Sequence, residues 1–169
     1  FSNYRPSQMD RDEFASIFGN VFEHSAWIVM QAWDTGLTAR DDTAAGLCSS
    51  LIDVVEMAGR EAQMALLRAH PDLAGRLARR GDVTDSSRHE QASAGLEDCS
   101  DAEFEAFQNL NRRYTEKFNF PFILAVRGRH RTEILETFKH RVENDVEDEF
   151  KEALQQVFQI ARLRLRDIQ

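Results

Sequence analysis

The chain has 169 residues, of which 42% are hydrophobic and 30% charged, and its net charge is −8. This length predicts one domain, residues 1–169, with enough apolar side chains for a buried core. The acidic charge argues against nucleic acid or an anionic membrane surface as a partner, and no apolar run is long enough to cross a bilayer. Two cysteines cannot form a disulfide framework and no apolar leader segment follows Phe1, so we expect a cytoplasmic protein.

Apolar residues spaced three and four apart predict helices through most of the chain. Such stripes run through 14–22, 47–55, 104–114, 134–142 and 150–165. Ser100 and Glu103 form a capping box before the third stripe, and Asn144 with Glu147 is the predicted start of the last helix. Only Phe120 to Val126 has the composition of a strand, and one apolar run is weak evidence for a sheet. The pattern therefore predicts an all-α fold of about seven to eight helices that is not a simple four-helix bundle.

His70 is the first candidate for chemistry. Pro71 disfavours the α conformation for His70, so this residue should lie at a corner after a helix over 60–68. Pro71 and Asp72 suit the start of a second helix, which Gly81 could end. A histidine at such a corner can be directed into a cleft and exchange protons near neutral pH. The simpler alternative is a helix-capping or surface histidine.

A second candidate region contains Ser87, Glu90 and Gln91. Ser87 and Glu90 have the spacing of a capping box, which explains both residues without any ligand. Alternatively, the N–H groups at this helix start and the polar side chains could hold an anionic or carbonyl-bearing ligand. His89 and Glu90 are adjacent and would diverge on a helix, and the sequence lacks the usual histidine or cysteine ligand patterns. We therefore expect no metal site.

Two further segments could line a pocket. Lys117 to Ile123 crowds aromatic and aliphatic residues around Pro121, a pattern that core packing also explains. Arg164 lies beside the apolar positions Ala161 and Leu165 of the last helix. A guanidinium directed inward there needs an anion, either a glutamate or a bound carboxylate.

Taken together, five motifs in order resemble the OHCU decarboxylases of purine catabolism. The resemblance covers nearly the whole chain, and it departs from the family pattern at Ala26, where a proline is common, and at Asn119, where glycine is common. Asn119 tolerates a positive φ better than most residues, so neither departure affects a reacting group. The motifs are Phe22-Glu23-His24-Ser25-x-Trp27, His70-Pro71-Asp72-Leu73-Ala74-Gly75, Ser87-x-x-Glu90-Gln91-x-x-Ala94-Gly95-Leu96, Lys117-Phe118-x-Phe120-Pro121-Phe122 and Leu163-Arg164-Leu165.

This resemblance implies conversion of 2-oxo-4-hydroxy-4-carboxy-5-ureidoimidazoline to (S)-allantoin without a metal or an organic cofactor. It also implies an all-α fold and suggests a homodimer. His70 resembles the family's catalytic acid–base residue. The implied substrate-binding residues are Pro71, Ser87, Glu90, Gln91, Phe122, Ile123, Leu124, Ala125, Val126 and Arg164.

Two other classes of function remain open from the sequence. One is an all-α binding or regulatory module that uses the same cleft without catalysis. The other is a different cofactor-free enzyme that acts on ureides, although the lack of a metal-binding pattern argues against an amidohydrolase.

Overall fold

The structure is a computed structural model that describes residues 1–73 and 84–168. Within these ranges the protein has eight α-helices and no β-strand, which confirms the all-α class and the expected helix number. Short 3₁₀ helices lie at Pro6–Gln8, Ala39–Asp42 and Leu96–Asp98. The α-helices are α1 (Arg11–Phe18), α2 (Trp27–Thr35), α3 (Ala44–Met57), α4 (Arg60–Arg68), α5 (Asp85–Ser93), α6 (Asp101–Phe118), α7 (Arg131–Arg141) and α8 (Val146–Asp167).

The chain divides into two units that are each compact. One consists of Phe1–Ala69 together with Val157–Gln169, and the other of His70–Gln156. The first unit therefore contains α1 to α4 and the C-terminal part of α8, whereas the second contains α5 to α7 and the N-terminal part of α8.

The core of the first unit is aliphatic and aromatic. In it α2 packs between α1 and α3, and α4 contacts α3. Phe14 and Phe18 are fully buried with ring centroids 5.0 Å apart. The last helix adds the buried residues Val157, Phe158, Ala161 and Leu165, as the predicted stripe required.

The core of the second unit is built from aromatic rings. Tyr114 of α6 is fully buried, and its ring lies within 6 Å of the rings of four phenylalanines. Phe122 and Phe138 are stacked with centroids 3.9 Å apart. The phenylalanines around Tyr114 are Phe118, Phe120, Phe122 and Phe138.

The ends of several helices differ from the prediction. The first stripe was predicted to continue to Phe22, but α1 ends at Phe18 because Gly19 and Asn20 are poor helix formers. Val21 and Phe22 are nevertheless buried in the turn that follows. A helical spacing can thus extend past the end of a helix when the next turn also faces the core.

Two predicted helix starts are also shifted. Asp145, not Asn144, caps α8, since its Oδ1 accepts the N–H of Asp148 at 2.9 Å. The capping box of Ser100 and Glu103 is confirmed at the start of α6. The start of α5 is corrected with the candidate site below.

Pro121 to Val126 has an irregular backbone and forms no strand. It follows α6, whose C-cap is Asn119 in the left-handed conformation with φ of 61°. Asparagine adopts this conformation at less cost than most residues, which explains how it stands in a position that favours glycine. Phe122 to Val126 are all buried.

Candidate active site

His70 directly follows the first helix of its predicted corner. α4 ends at Arg68, and Ala69, His70 and Pro71 continue outside any helix, with His70 and Pro71 partly exposed. The upstream half of the corner is thereby confirmed. The second helix was predicted to start at Pro71 and Asp72, but neither residue is helical. The rest of that predicted helix falls in residues 74–83, which lie outside the described residues.

A buried amide holds the segment just after His70. Asn111 of α6 is 6% exposed, and its Nδ2 donates to the Leu73 carbonyl oxygen at 3.1 Å. Its Oδ1 is buried and has no hydrogen-bond partner among the described residues. Burial raises the pKa of Asp72, two residues after His70. The segment therefore combines a partly exposed imidazole with a poorly solvated carboxyl group.

The three polar candidates of α5 share one face of that helix. Ser87, Glu90 and Gln91 are spaced i, i+3 and i+4, and Ser87 and Gln91 are 6% and 5% exposed. The predicted cap at Ser87 is wrong. Thr84 is the N-cap, and its Oγ1 accepts the N–H of Ser87 at 3.3 Å. Ser87 therefore lies inside the helix, where its side chain has no capping role.

The segment Phe122–Val126 presents backbone groups more than side chains. The Phe122 ring is stacked on Phe138 in the core. The Ala125 N–H donates to Gln156 Oε1 at 3.0 Å, and the Ile123 carbonyl oxygen accepts from Arg141 Nη1 at 2.6 Å.

Other backbone groups of this segment lack partners. Among the described residues, the N–H groups of Ile123, Leu124 and Val126 have no hydrogen-bond partner. Buried N–H groups are nearly always paired, so these three are candidates to bind a polar ligand.

A buried ion pair supports this segment from behind. Glu149 of α8 is fully buried and accepts from Arg141 Nε at 2.8 Å and from Tyr114 Oη at 2.5 Å. The Arg141 guanidinium also lies 4.5 Å from the centroid of the Phe122 ring. Arg141 thus links the carboxylate of α8 to the backbone and the aromatic ring of the segment.

Arg164 lies in the other unit, on the C-terminal part of α8. It is 7% exposed, and its Nη1 and Nη2 each lie 3.3 Å from Oε2 of Glu23, which is fully buried. Nη1 also lies 3.3 Å from the Val21 carbonyl oxygen. The sequence left open whether the anion beside Arg164 is a glutamate or a bound carboxylate. In the structure it is the glutamate Glu23.

The predicted residues therefore fall into groups. His70 and Pro71, the α5 face and Phe122–Val126 all belong to the unit His70–Gln156, whereas Arg164 belongs to the unit that contains both chain ends. Among the described residues, no group of three or more His, Cys, Asp or Glu side chains could hold a metal ion. The described helices also include none that is long and apolar enough to cross a membrane.

Sequence reasoning missed the residues that support the candidate groups. Arg141 and Glu149 are charged residues that directly precede the apolar stripe residues Val142 and Phe150, and all four are buried. Their position beside the apolar stripes could have indicated a buried ion pair, because a charge on the buried face of a helix requires a partner. Asn111 and Gln156 gave no comparable signal.

Comparison with known proteins identifies the family. The sequence pattern of the OHCU decarboxylase family matches residues 7–166. The chain is 40% identical to a 2-oxo-4-hydroxy-4-carboxy-5-ureidoimidazoline decarboxylase of Haloferax volcanii, over 95% of this chain and 92% of that protein. It is 36% identical to a uric acid degradation bifunctional protein of Bacillus subtilis, over 96% of this chain and 31% of that protein.

A solved structure has a similar fold. A crystal structure of (S)-allantoin synthase superposes with a TM-score of 0.75 at 30% identity, over 96% of this chain and 52% of that one. The match to the family pattern covers every motif of the resemblance, from Phe22 to Leu165. The chain belongs to the OHCU decarboxylase family and is an enzyme, a carboxy-lyase.

Proposed function

We propose that this protein converts 2-oxo-4-hydroxy-4-carboxy-5-ureidoimidazoline to (S)-allantoin and CO₂ in urate degradation. The observation that carries the proposal is the near-complete match to a relative named for this decarboxylation. The product is supported by the similarity to (S)-allantoin synthase, and the pathway by the similarity to a uric acid degradation protein.

The reaction needs a site for charge and protons. The bond between the substrate ring and its carboxylate breaks, CO₂ leaves, and the electron pair forms a new ring double bond while the imine electrons move onto the nitrogen, which takes up a proton from solvent. The hydroxyl group then loses its proton to become a carbonyl, and the neighbouring ring carbon gains one. The protein has to orient the carboxylate, stabilise the developing charge and deliver the proton to one face.

We assign the acid–base step to His70. Its position after α4 leaves His70 partly exposed, so that a substrate can reach it. His70 either removes the hydroxyl proton or protonates the ring carbon. These two directions of proton transfer predict different product chirality in a variant that lacks the imidazole.

The remaining candidates are assigned to substrate binding. Glu90 and Gln91 accept and donate hydrogen bonds with the ureide and ring amides, and Ser87 donates to a substrate oxygen. The unpaired N–H groups of Ile123, Leu124 and Val126 support a role for this backbone in binding oxygen atoms of the substrate.

Pro71 and Arg164 complete the proposed binding residues. Pro71 shapes the turn that follows His70. Arg164 counters the negative charge of the substrate, although its guanidinium already contacts Glu23. A test of its role in substrate binding therefore has to be separated from the effect of breaking the buried pair.

The test replaces His70 and follows the product. General acid–base catalysis contributes about 10²–10⁴-fold, so we expect His70→Asn to lower kcat by about that factor. The unstable substrate is generated from urate in situ, and allantoin chirality is followed by circular dichroism. If His70 protonates the ring carbon, residual product is racemic; if it only removes the hydroxyl proton, the product stays chiral.

The matched control is His140→Asn, which changes an exposed histidine of α7. It should keep the activity of the unmodified protein. Full activity of a folded His70→Asn variant would refute the proposed role of His70, while absence of any decarboxylation by the unmodified protein would refute the proposed function.

We also propose that the protein is a homodimer. Light scattering coupled to gel filtration should then give twice the mass of one chain. A monomeric mass across the concentrations used for activity would contradict the proposal.

A further inference from the structure

A cavity lies in the unit formed by Phe1–Ala69 and Val157–Gln169. It has a volume of about 280 Å³ and lies between α3 and the last turns of α8. Its apolar wall comes from α3, chiefly Ala45, Cys48 and Ile52, and its charged side is formed by Arg162 and Arg166 of α8. None of these residues belongs to the proposed active site.

The two arginines lie on the same face of α8, one turn apart. Arg162 Nη1 donates to Gln159 Oε1 at 2.9 Å on its own helix. In the ranges 1–73 and 84–168, neither Arg162 nor Arg166 has a carboxylate within ion-pair distance. Two guanidinium groups thus border an apolar cavity with no counter-charge from those ranges, although the whole chain carries a net charge of −8.

A third arginine, Arg40, contacts one of the lining residues of the cavity. Arg40 Nη2 donates to the hydroxyl oxygen of Ser49, which lines the cavity. The two carboxylates that follow Arg40 in sequence have hydrogen-bond donors of their own, since Asp41 accepts from Ser50 and Asp42 accepts from Ser7. The cavity also borders the first turn of α3, where the helix dipole favours an anion.

The thiol in the wall is not a candidate nucleophile. Burial raises the pKa of Cys48, although Arg162 beside it acts in the opposite direction. The thiol is therefore protonated near neutral pH and contributes an apolar surface.

We propose that this cavity binds a small organic oxyanion, a carboxylate or phosphate monoester with a compact apolar body. The guanidinium groups of Arg162 and Arg166 bind the oxygen atoms, because the planar guanidinium fork matches both carboxylate and phosphate geometry. The wall of α3 receives the apolar body. This site is separate in its residues from the decarboxylation chemistry, and it goes beyond the proposed function.

The first experiment measures anion binding directly. Isothermal titration calorimetry uses benzoate, phenyl phosphate and inorganic phosphate as probes, at constant ionic strength. We expect saturable binding of one organic anion per chain, and the preference between benzoate and phenyl phosphate identifies the head group. Inorganic phosphate should bind more weakly than phenyl phosphate, since it has no apolar body to bury.

Charge-reversal variants show where the anion binds. Arg166→Glu should weaken binding about tenfold or more, because it removes a charge-assisted hydrogen bond and adds repulsion. The matched control is Arg112→Glu on α6, which makes the same change in net charge at an exposed arginine that likewise donates to a residue of its own helix. The control should bind the probe as the unmodified protein does.

A third variant changes the shape without changing the charge. Ala45→Phe places a ring in the cavity and should also weaken binding about tenfold, while the melting temperature without ligand stays near that of the unmodified protein. The proposal fails if the unmodified protein binds none of the three probes at millimolar concentrations. It also fails if Arg166→Glu and Arg112→Glu bind the probe equally well.

Discussion

Glu149 is one fully buried carboxylate that connects three helices. It accepts hydrogen bonds from Tyr114 of α6, Arg141 at the end of α7 and Asn144 just before α8. A buried charge is costly unless its oxygens are paired, and here both oxygens have donors. We infer that this residue sets the register of the three helices behind Phe122–Val126.

Tyr114 provides a test of this cluster through pH. Burial, reinforced by the hydrogen bond to Glu149, raises the pKa of Tyr114 far above its ordinary value. The folded state therefore keeps the phenolic proton, whereas the unfolded state releases it above about pH 10. The contribution of Tyr114 to stability is complete below pH 10 and is lost as the pH rises further, by about 1.4 kcal/mol per pH unit.

Tyr114→Phe should accordingly lower the free energy of unfolding by about 1.5–3 kcal/mol at pH 8, as expected for a hydrogen bond to a charged group. The difference between the two proteins should shrink above pH 10. Urea unfolding between pH 7 and 11 measures it, with Tyr4→Phe at a partly exposed tyrosine as the control. A difference that stays constant to pH 11 would contradict the buried, protonated phenol.

For single residues, the sequence predicts that a charged side chain on a buried helix face needs a partner, but it does not identify that partner. Arg164 was predicted to require an anion, and its partner Glu23 lies 141 positions away. The start of α5 was misassigned for a local reason. Thr84 and Ser87 are both capping residues, one turn apart, so composition alone does not decide between them.

The C-terminal helix supports the candidate binding segment through a short chain of hydrogen bonds. Gln156 Oε1 accepts the N–H of Ala125, and its Nε2 donates to Glu152 Oε1 at 2.8 Å. A buried segment outside helices and strands lacks the regular backbone hydrogen bonds of those elements. Its backbone groups therefore need other partners, and here a side chain of a neighbouring helix accepts one of the N–H groups. Gln156 is thus a positioning residue for Phe122–Val126.

Gln156→Met tests this positioning role. The variant keeps a similar volume but leaves the Ala125 N–H without an acceptor, which should cost about 1–3 kcal/mol of stability. Because the segment is proposed to bind substrate through its backbone, we expect KM to rise while kcat changes less. Steady-state kinetics on the substrate generated in situ gives both values.

Gln155→Met is the matched control, since Gln155 is exposed on the same helix. It should leave both KM and stability near those of the unmodified protein. A Gln156→Met variant that loses stability but keeps KM unchanged would show that the contact is structural only.

At the scale of elements, periodicity predicted the helices well and their ends less well. Most apolar residues of the stripes of α3, α6, α7 and α8 are buried, because a spacing of three and four places them on one face of a helix. The apolar run from Phe120 to Val126 is buried without being a strand. Its side chains belong to the core, but no neighbouring strand is available among the described residues to pair with its backbone.

The unit that contains both chain ends depends on contacts between residues distant in sequence. Phe1–Ala69 and Val157–Gln169 form it together, and the pair of Glu23 and Arg164 is one of these contacts. Such contacts pay a loop-closure cost before they stabilise the fold. They also explain the limit of the sequence interpretation. Motif order identified the family, whereas the pairing of distant residues had to come from the structure.

The pair of Glu23 and Arg164 permits a test that separates structure from substrate binding. Arg164→Met leaves the fully buried Glu23 without its guanidinium, and removing one partner of a buried pair costs about 3–5 kcal/mol. The double variant Glu23→Leu with Arg164→Met removes both charges and should recover most of that loss. Urea unfolding of both single variants and the double variant gives the coupling energy.

The double variant also isolates the proposed contact with substrate, because it lacks the guanidinium in a protein that still folds. If Arg164 counters the charge of the substrate, KM of the double variant should rise about tenfold or more, as for loss of a charge-assisted hydrogen bond. Unchanged KM would restrict Arg164 to its pair with Glu23. A double variant no more stable than Arg164→Met would instead show that the loss of stability in Arg164→Met does not come from the charge left on Glu23.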